Sequence, residues 1–375
     1  MGRRHLAAAV ALGLAVGWAI GDVGAVADRL ADAYGVRLAL IGVLTTAVFL
    51  AQTATLIPAG RLIDRLGART VGLAAVAVIA LGDAICLAGK TFWLAVIGRA
   101  VTGLGTGSAF LSGADFARGR PLRQGIYGGS SVGGVGIAIA VVPQLAGWRA
   151  PYWSSLAVCA VVALVIGAAP RPELVRHPAR LAVLGDRRLY PSAVLHSCSF
   201  GLSIVAGAWI TALLQRHGFG HRSAAVVGGL VLLVGGLTRP LGGAIGRVAL
   251  PAAWASLALG AAGFALLASP APPAVLALGA VVVGLAAGLP FAPAIGGAQR
   301  LRPDAPAAAV GVVNAFANLT ILVLTPLIGL TFSLPGHGRV GFAALAALMA
   351  AGLGGLAFRR PASVVPSGHV QSGQG

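Results

Sequence analysis

Charge is scarce in this sequence. Of its 375 residues, 10% are Asp, Glu, Lys or Arg and only nine are acidic, whereas soluble domains carry about a quarter charged residues. With 58% hydrophobic residues and a mean hydropathy of +0.91, an ordinary water-soluble globule is excluded. Cysteine is scarce as well. Cys86, Cys159 and Cys198 are odd in number, lie in apolar runs and show neither CxxC nor metal-ligand spacing, so they read as small core residues rather than a redox or metal framework. Catalytic signatures are missing. The nine acids and seven histidines are scattered, with no HExxH, no GxSxG, no P-loop and no paired carboxylates in one segment. That argues against an enzyme, a polytopic membrane enzyme included, and against an ATP-driven pump. No cofactor and no metal is expected.

Apolar length is what the sequence has in excess. A bilayer core of about 30 Å takes roughly 20 apolar residues of helix, and a dozen such runs are joined by short polar links. The first six are expected at 6–25, 38–59, 70–88, 92–113, 125–145 and 152–169, and the next six at 190–214, 223–245, 250–267, 274–298, 307–330 and 340–358. The expected fold class is an all-α polytopic membrane protein with twelve transmembrane helices. Residues 1–169 are read as an N-terminal six-helix half, 170–189 as a cytoplasmic linker, 190–358 as a C-terminal six-helix half, and 359–375 as a disordered cytoplasmic tail rich in Ser, Gly and Gln. The first run could be mistaken for a signal peptide, because Ala25-Val26-Ala27 resembles a cleavage site. Its length, and the repeat below, make it the first span.

The two halves share landmarks. A shift of about 182 residues places Pro58 on Pro240, Gly60 on Gly242 and Arg65 on Arg247. Within one residue, Gly103 and Gly107 fall on Gly284 and Gly288, Phe110 on Phe291, and Pro143 on Pro326. Asp64 falls on Gly246, so the second copy lacks the acid.

The formal charge of +18 would suggest a nucleic-acid partner in a soluble protein. Its distribution gives another explanation. With the amino terminus inside, Arg3, Arg4 and the arginines at 61–69, 118–123, 171–188, 247, 300–302 and 359–360 all face the cytoplasm. The outer face receives only Arg29, Arg37, Lys90, Arg149, Arg216, Arg222 and Arg339. This positive-inside bias puts both termini in the cytoplasm of a cell whose plasma membrane holds the chain. The lipid bilayer is the implied partner, and no nucleic acid is needed.

Four of those charges lie close together. Arg61, Asp64, Arg65 and Arg69 fall within GRLIDRLGAR, residues 60–69, which is expected to be a charged hinge loop kept in water or headgroups. Gly60 lets two helix ends approach, Gly67 supplies the positive φ of the turn, and Asp64 pairs with an arginine or caps a following helix. The pattern G-x-L-x-D-R-x-G-x-R resembles the loop between the second and third helices of the major facilitator superfamily. RAVTGLGTG, from Arg99 to Gly107, resembles that superfamily's fourth-helix motif, with Thr102 where glutamine is common. In the fifth helix, Val142 precedes Pro143 where the drug-antiporter branch has Gly-Pro. TRPLGG, from Thr238 to Gly243, resembles the nitrate/nitrite porter branch, whose anion-binding arginine matches Arg239; Leu56 takes the place of its second arginine.

The resemblance covers 6–358. It implies parallel halves related by an axis along the membrane normal, with substrate bound near the midplane between them. It also implies that helices one, four, seven and ten line the cavity. On this chain that nominates Trp18 and Asp22, Arg99, and His196, Ser199, Ser203 and Trp209. Helix ten offers Gly284, Gly288, Pro290 and Pro293 as a bending gate or a close-packed face. Asn314 and Asn318, four apart on helix eleven, read either as ligands or as interhelical hydrogen-bonding groups. His196 either titrates near neutral pH or is held by a hydrogen bond. Arg239 either binds an anion or, the favoured reading, snorkels to the cytoplasmic headgroups. Asp22 and Arg99 sit at similar depth and are read as an ion pair, either permanent or coupled to proton movement. Asp83 has no partner that the sequence names.

The expected function is secondary active transport of a small solute by alternating access, coupled to protons, by a protein that works as a monomer. Arg99 and Arg239 favour uptake of a small anion or organic solute. The aliphatic walls leave open efflux of a lipophilic compound by proton antiport. A receptor or scaffold on the same fold would bind its ligand without accumulating it. The topology is testable: cysteines placed at Arg120, Arg180 and Ser372 should be labelled by impermeant reagent only from the cytoplasmic side, and one at Asp32 only from outside. Labelling at position 372 from outside would mean an odd number of spans.

Overall fold

The computed structural model describes residues 2–171, 183 and 185–354. Most of the expected linker and all of the expected tail at 359–375 lie outside the described residues. In chain order the helices are α1 (Arg3–Gly21), α2 (Ala27–Tyr34), α3 (Leu38–Leu66), α4 (Ala68–Leu87), α5 (Phe92–Phe116), α6 (Pro121–Val141), α7 (Ala150–Gly167) and α8 (Tyr190–His196). They continue as α9 (Leu202–Arg216), α10 (His221–Ala244), α11 (Ala249–Ala268), α12 (Pro273–Gly288), α13 (Phe291–Leu301), α14 (Pro306–Leu330) and α15 (Arg339–Ala351). Eleven segments among the described residues are long and apolar enough to cross a membrane, and a twelfth, Arg339–Gly354, is apolar but shorter. The seventh span joins α8 to α9 through a π turn at Ser197–Gly201, and the tenth joins α12 to α13 across Leu289 and Pro290.

One expectation is corrected. The charged stretch is not a loop: α3 runs through Gly60 and Asp64 to Leu66, and only Gly67, at φ 86°, ends it. A continued helix keeps the backbone N–H and C=O groups paired where the chain leaves lipid. The polar link between the first two spans is mostly helical too, as α2, closed by Gly35 at φ 64°.

The spans bury polarity and expose apolar surface, the inverse of a soluble helix. On α5, Trp93 and Ile97 are 68% and 57% exposed, while Arg99, Thr102 and Thr106 are fully buried. The charge therefore turns inward and the large apolar side chains turn to lipid.

Small residues set the helix spacing. A Cβ on Gly17 of α1 would lie 2.0 Å from the Ser131 carbonyl oxygen of α6, and one on Gly134 would lie 2.6 Å from the Leu14 carbonyl. The repeat landmarks occupy matching contacts. Gly103 and Gly107 of α5 close on Val48 and Gln52 of α3, as Gly284 and Gly288 of α12 close on Val231 and Thr238 of α10. Phe110 and Phe291 both reach Tyr127, at ring separations of 5.7 and 6.3 Å.

The two sets of spans meet along two seams, α3 against α14 and α6 against α10. One apolar cluster, at the Asp64 end, draws on both sets, combining Leu56, Phe110 and Tyr127 with Phe291, Ile295 and Val310. A cluster at the opposite end, built on Val23, Leu30, Tyr34, Leu44, Phe92 and Tyr152, includes no residue beyond 152. The halves are thus fused into one core at the Asp64 end, while toward the other end the second half's own cluster takes in only Phe49 and Ile20 from the first.

Gly17→Ala should lower the thermal stability of the detergent-purified protein by about 1–3 kcal/mol, the usual cost of overpacking. Gly133→Ala on α6, whose Cβ would meet nothing within 4 Å, is the control and should leave the melting temperature in place. Equal effects from the two would remove the close approach of α1 and α6 as the cause.

Candidate functional site

At the Asp64 end, the carboxylate is buried against the start of α14. Its Oδ1 accepts the Ala307 N–H at 2.9 Å and its Oδ2 the Ala308 N–H at 3.0 Å. These are orphan donors of a helix N-terminus, where the aligned peptide dipoles favour negative charge. Asp64 therefore caps a helix of the other half, not the helix that follows it. Gly60, one turn earlier, makes this possible: a Cβ there would lie 2.7 Å from the Ala308 Cα. Of the remaining charges in the stretch, Arg69 donates to the Gly167 carbonyl, Arg65 is exposed, and Arg61 is half-buried with an unpartnered Nε.

Residues that no motif marks complete this joint. Gln124 of α6 donates to the Ala114 carbonyl at 2.7 Å and to Gln299 Oε1 of α13 at 2.9 Å, and Gln299 donates to the same carbonyl at 3.2 Å. Asp115, buried beside them, pairs with Arg118 at 3.4 Å. Arg302 bridges Asp304 at 2.7 Å and Asp186 at 3.3 Å, just before α14 begins. Hydrogen bonding by Arg302 holds the Asp304 carboxyl below its ordinary range, and Arg188 does the same for Asp186. Isolated glutamines and acids at helix ends carry no spacing signal, which is why the sequence did not mark them.

Near the opposite end lies a buried cluster within the first six spans. Arg99 is fully buried; its guanidinium donates to the Ala19 carbonyl at 2.5 Å and stands 3.3 Å from Asp22 Oδ1. Asp22 also accepts the Val23 N–H at 2.7 Å. The expected pair is thus present, though the Ala19 carbonyl is its shorter partner. Trp18 donates to Ser154 of α7 at 3.2 Å. Asp83, which lacked a partner in sequence, accepts from Thr102 at 3.5 Å, one turn along α5 from Arg99.

A second buried guanidinium lies at the α6–α10 seam. Arg239 is 3% exposed, donates to the Gly128 carbonyl at 2.7 Å, and lies over the rings of Phe291 and Phe200 at 4.5 and 5.3 Å. It does not snorkel. Glycines explain how it is held, since a Cβ on Gly125 would lie 2.4 Å from the Arg239 carbonyl and leaves no room for a larger residue. No carboxylate lies within 4 Å of it among the described residues. It lines a small recess of about 10 Å³, room for about one water, with Phe200 and Ser203, walled by Val132, Ile204, Val231 and Leu232.

Behind Phe200 the polar groups continue. His196 stacks on Phe200 at 5.2 Å and shares a 3.0 Å hydrogen bond with Asn314. Asn318 is fully buried with neither its oxygen nor its nitrogen partnered, and Asn314 Nδ2 and His196 Nδ1 are also unpartnered. Ser199 and Ser203 donate to carbonyls within their own span, those of His196 and Phe200. Trp209 is apart from these, donating to the Thr325 carbonyl of α14 at 2.8 Å. Arg239, Ser203, His196 and Asn314 are thus brought to one region, Asp22 and Arg99 to another, and Trp18 and Trp209 to helix–helix contacts. Leu56, at the place of the second porter arginine, is packed against Gly311.

A sequence profile described as the Major Facilitator Superfamily matches residues 6–322. The chain belongs to this superfamily. Among curated proteins, the uncharacterized MFS-type transporter Rv1877 of Mycobacterium tuberculosis is 32% identical over 140 residues, 34% of this chain and 20% of that protein. The chain thus matches about a fifth of the length of that relative. Among solved structures, FucP, the fucose:proton symporter of E. coli, in its outward conformation matches with a TM-score of 0.75 at 16% identity, covering 96% of this chain and 100% of that one. The human organic anion transporter MFSD10 (TETRAN) matches with a TM-score of 0.73 at 17% identity, covering 95% and 100%. At these identities the two structures share the fold of this superfamily member.

The Asp64 cap has a direct test. Asp64→Asn removes the charge at the α14 N-terminus and one of two acceptors, a loss of about 0.5–2 kcal/mol. A cysteine placed at Gln299, buried in the joint, should then react several-fold faster with a water-soluble maleimide than in the otherwise native chain. Unchanged reactivity would mean that Asp64 does not hold the joint closed.

Proposed function

We propose that the protein is a proton-coupled secondary transporter that takes up a small organic anion by alternating access across the plasma membrane. It works as a monomer with both termini cytoplasmic, its two halves being 1–169 and 190–358. The observation that carries the reading is Arg239: a guanidinium buried at the seam between the halves, facing a recess, with no acid beside it. A charge at membrane depth needs compensation. The Gly128 carbonyl and two aromatic faces supply part of it, and an anionic substrate supplies the rest. Ser203, the unpartnered amide of Asn318 and the His196–Asn314 pair are the polar groups available to orient it. Phe200 and the aliphatic walls suit an organic body over a bare inorganic anion. That FucP is a proton symporter and MFSD10 an organic anion transporter is consistent with this reading.

Coupling falls to Asp22. When ionised it pairs with Arg99; when it takes a proton, that pair is released and α1 is freed from α5. The Asp64 joint is the cytoplasmic gate, closed in this conformation. The aliphatic recess also favours a second reading, export of a lipophilic compound in exchange for protons.

Counterflow and gradient-driven uptake in proteoliposomes, against a panel of carboxylates, amino acids and lipophilic dyes, test both. Arg239→Gln should raise KM for an anion at least tenfold, about 1.4 kcal/mol, with a smaller effect on any neutral solute. Asp22→Asn should abolish accumulation against a gradient while leaving exchange at equal concentrations intact. Saturable transport of dyes alone, unaffected by Arg239→Gln, would replace the anion reading with the export reading.

A further inference from the structure

Asp83 is a fully buried carboxylate that the transport reading above leaves without a task. It lies on α4, at the tight α4–α5 contact where a Cβ on Gly82 would sit 2.4 Å from Thr102 Oγ1. Its Oδ1 accepts from Thr102 at 3.5 Å, and its Oδ2 makes no hydrogen bond. Thr102 reaches it from α5; Arg99 one turn along α5, Asp22 just past the end of α1, Ser155 and Cys159 on α7, and Cys86 one turn along its own helix lie within electrostatic range. Arg99 is the cation of this group. Its Nε is buried and unpartnered, and both Asp22 and Asp83 act on its charge.

Charge balance decides what such a cluster holds. One guanidinium neutralises one carboxylate; a second ionised carboxylate in the same dry interior would leave a net negative charge with no counterion. Two acids around one arginine therefore retain one proton between them and titrate as a unit. In this conformation Asp22 has the guanidinium, at 3.3 Å, and Asp83 has a weak hydroxyl donor and a free oxygen. A sodium ion is a poor alternative occupant, because the adjacent guanidinium repels it and the hydroxyls of Thr102 and Ser155 would be its only neutral side-chain ligands.

We propose that Asp83 is a second proton-binding carboxylate and that Arg99 exchanges between Asp22 and Asp83. When a proton binds an Asp22 oxygen, the guanidinium moves to Asp83, whose own proton leaves; the cluster begins and ends with one proton, one carboxylate anion and one guanidinium. One proton is thereby taken up on α1 as another is released from α4, without leaving a charge unpaired. The direction of this transfer rests on the proton-coupled reading given above, whereas the measurement that tests it requires no transport.

That measurement is infrared difference spectroscopy of the full-length protein in liposomes at neutral pH, reading the carbonyl stretch of protonated carboxyl groups. Wild type should show one such band that is lost in Asp83→Asn. Asp22→Asn should lose the same band, because Arg99 then neutralises Asp83 and displaces its proton. The second arm leaves the Asp83 site intact, so the result does not depend on how Asp83→Asn folds. A band that persists in Asp22→Asn overturns the exchange. No band lost in Asp83→Asn, or a band abolished in wild type by sodium at constant pH, overturns Asp83 as a proton site. Gradient-driven accumulation that survives those outcomes would leave proton coupling standing and this relay alone refuted.

Discussion

A guanidinium carried to membrane depth must find its compensation inside the protein, and the architecture follows from how two such groups find it. Arg99 is met by a backbone carbonyl and a carboxylate in the interior of the first six spans. Arg239 is met by a backbone carbonyl and two aromatic faces at the seam between the halves. Water would serve both in a soluble protein; here the helices must be close enough for carbonyls and rings to serve instead. Glycine at the contact faces supplies that closeness. The abundance of small residues in this chain and the survival of its few buried charges are one requirement seen from two sides.

The same closeness builds the joint at the Asp64 end. A carboxylate reaches the N-terminus of a helix in the opposite half only because Gly60 allows the backbones together. The joint is not symmetric. At the α6–α10 seam, Gly243 presses on Pro121 and Leu122, but Gly246 stands where the acid would be. One seam is held by a carboxylate on a helix N-terminus, the other by close packing and the guanidinium of Arg239 on the Gly128 carbonyl.

Much of this was legible in the sequence. The spans, their repeat and the Asp22–Arg99 pair follow from apolar length, landmark order and depth. The charged stretch, expected as a loop, is helical as far as Leu66, because charge marks the end of lipid and not the end of a helix. Arg239 escapes a sequence reading for a related reason: its position near one end of a run suits snorkelling, and only the three-dimensional arrangement of Gly125, Phe200 and Phe291 shows it enclosed. Asp83 needed a partner from another helix, and Gln124 and Gln299 needed each other across 175 positions. Contacts of that range leave no local pattern.

The π turn at Ser197–Gly201 places an extra residue within the seventh span. An α-helix turns by about 100° per residue, so one inserted residue acts as a phase shift, and side chains before and after it follow different angular registers. The span is then two short helices with different facing directions. Its first part packs against α13 and α14, and its second against α10 and α15 as well as α14. A continuous helix of the same composition would present one stripe to one set of neighbours. The phase shift lets a single span address both the polar region around His196 and the apolar wall at Ile204, and deleting any one residue between them would merge two registers into one.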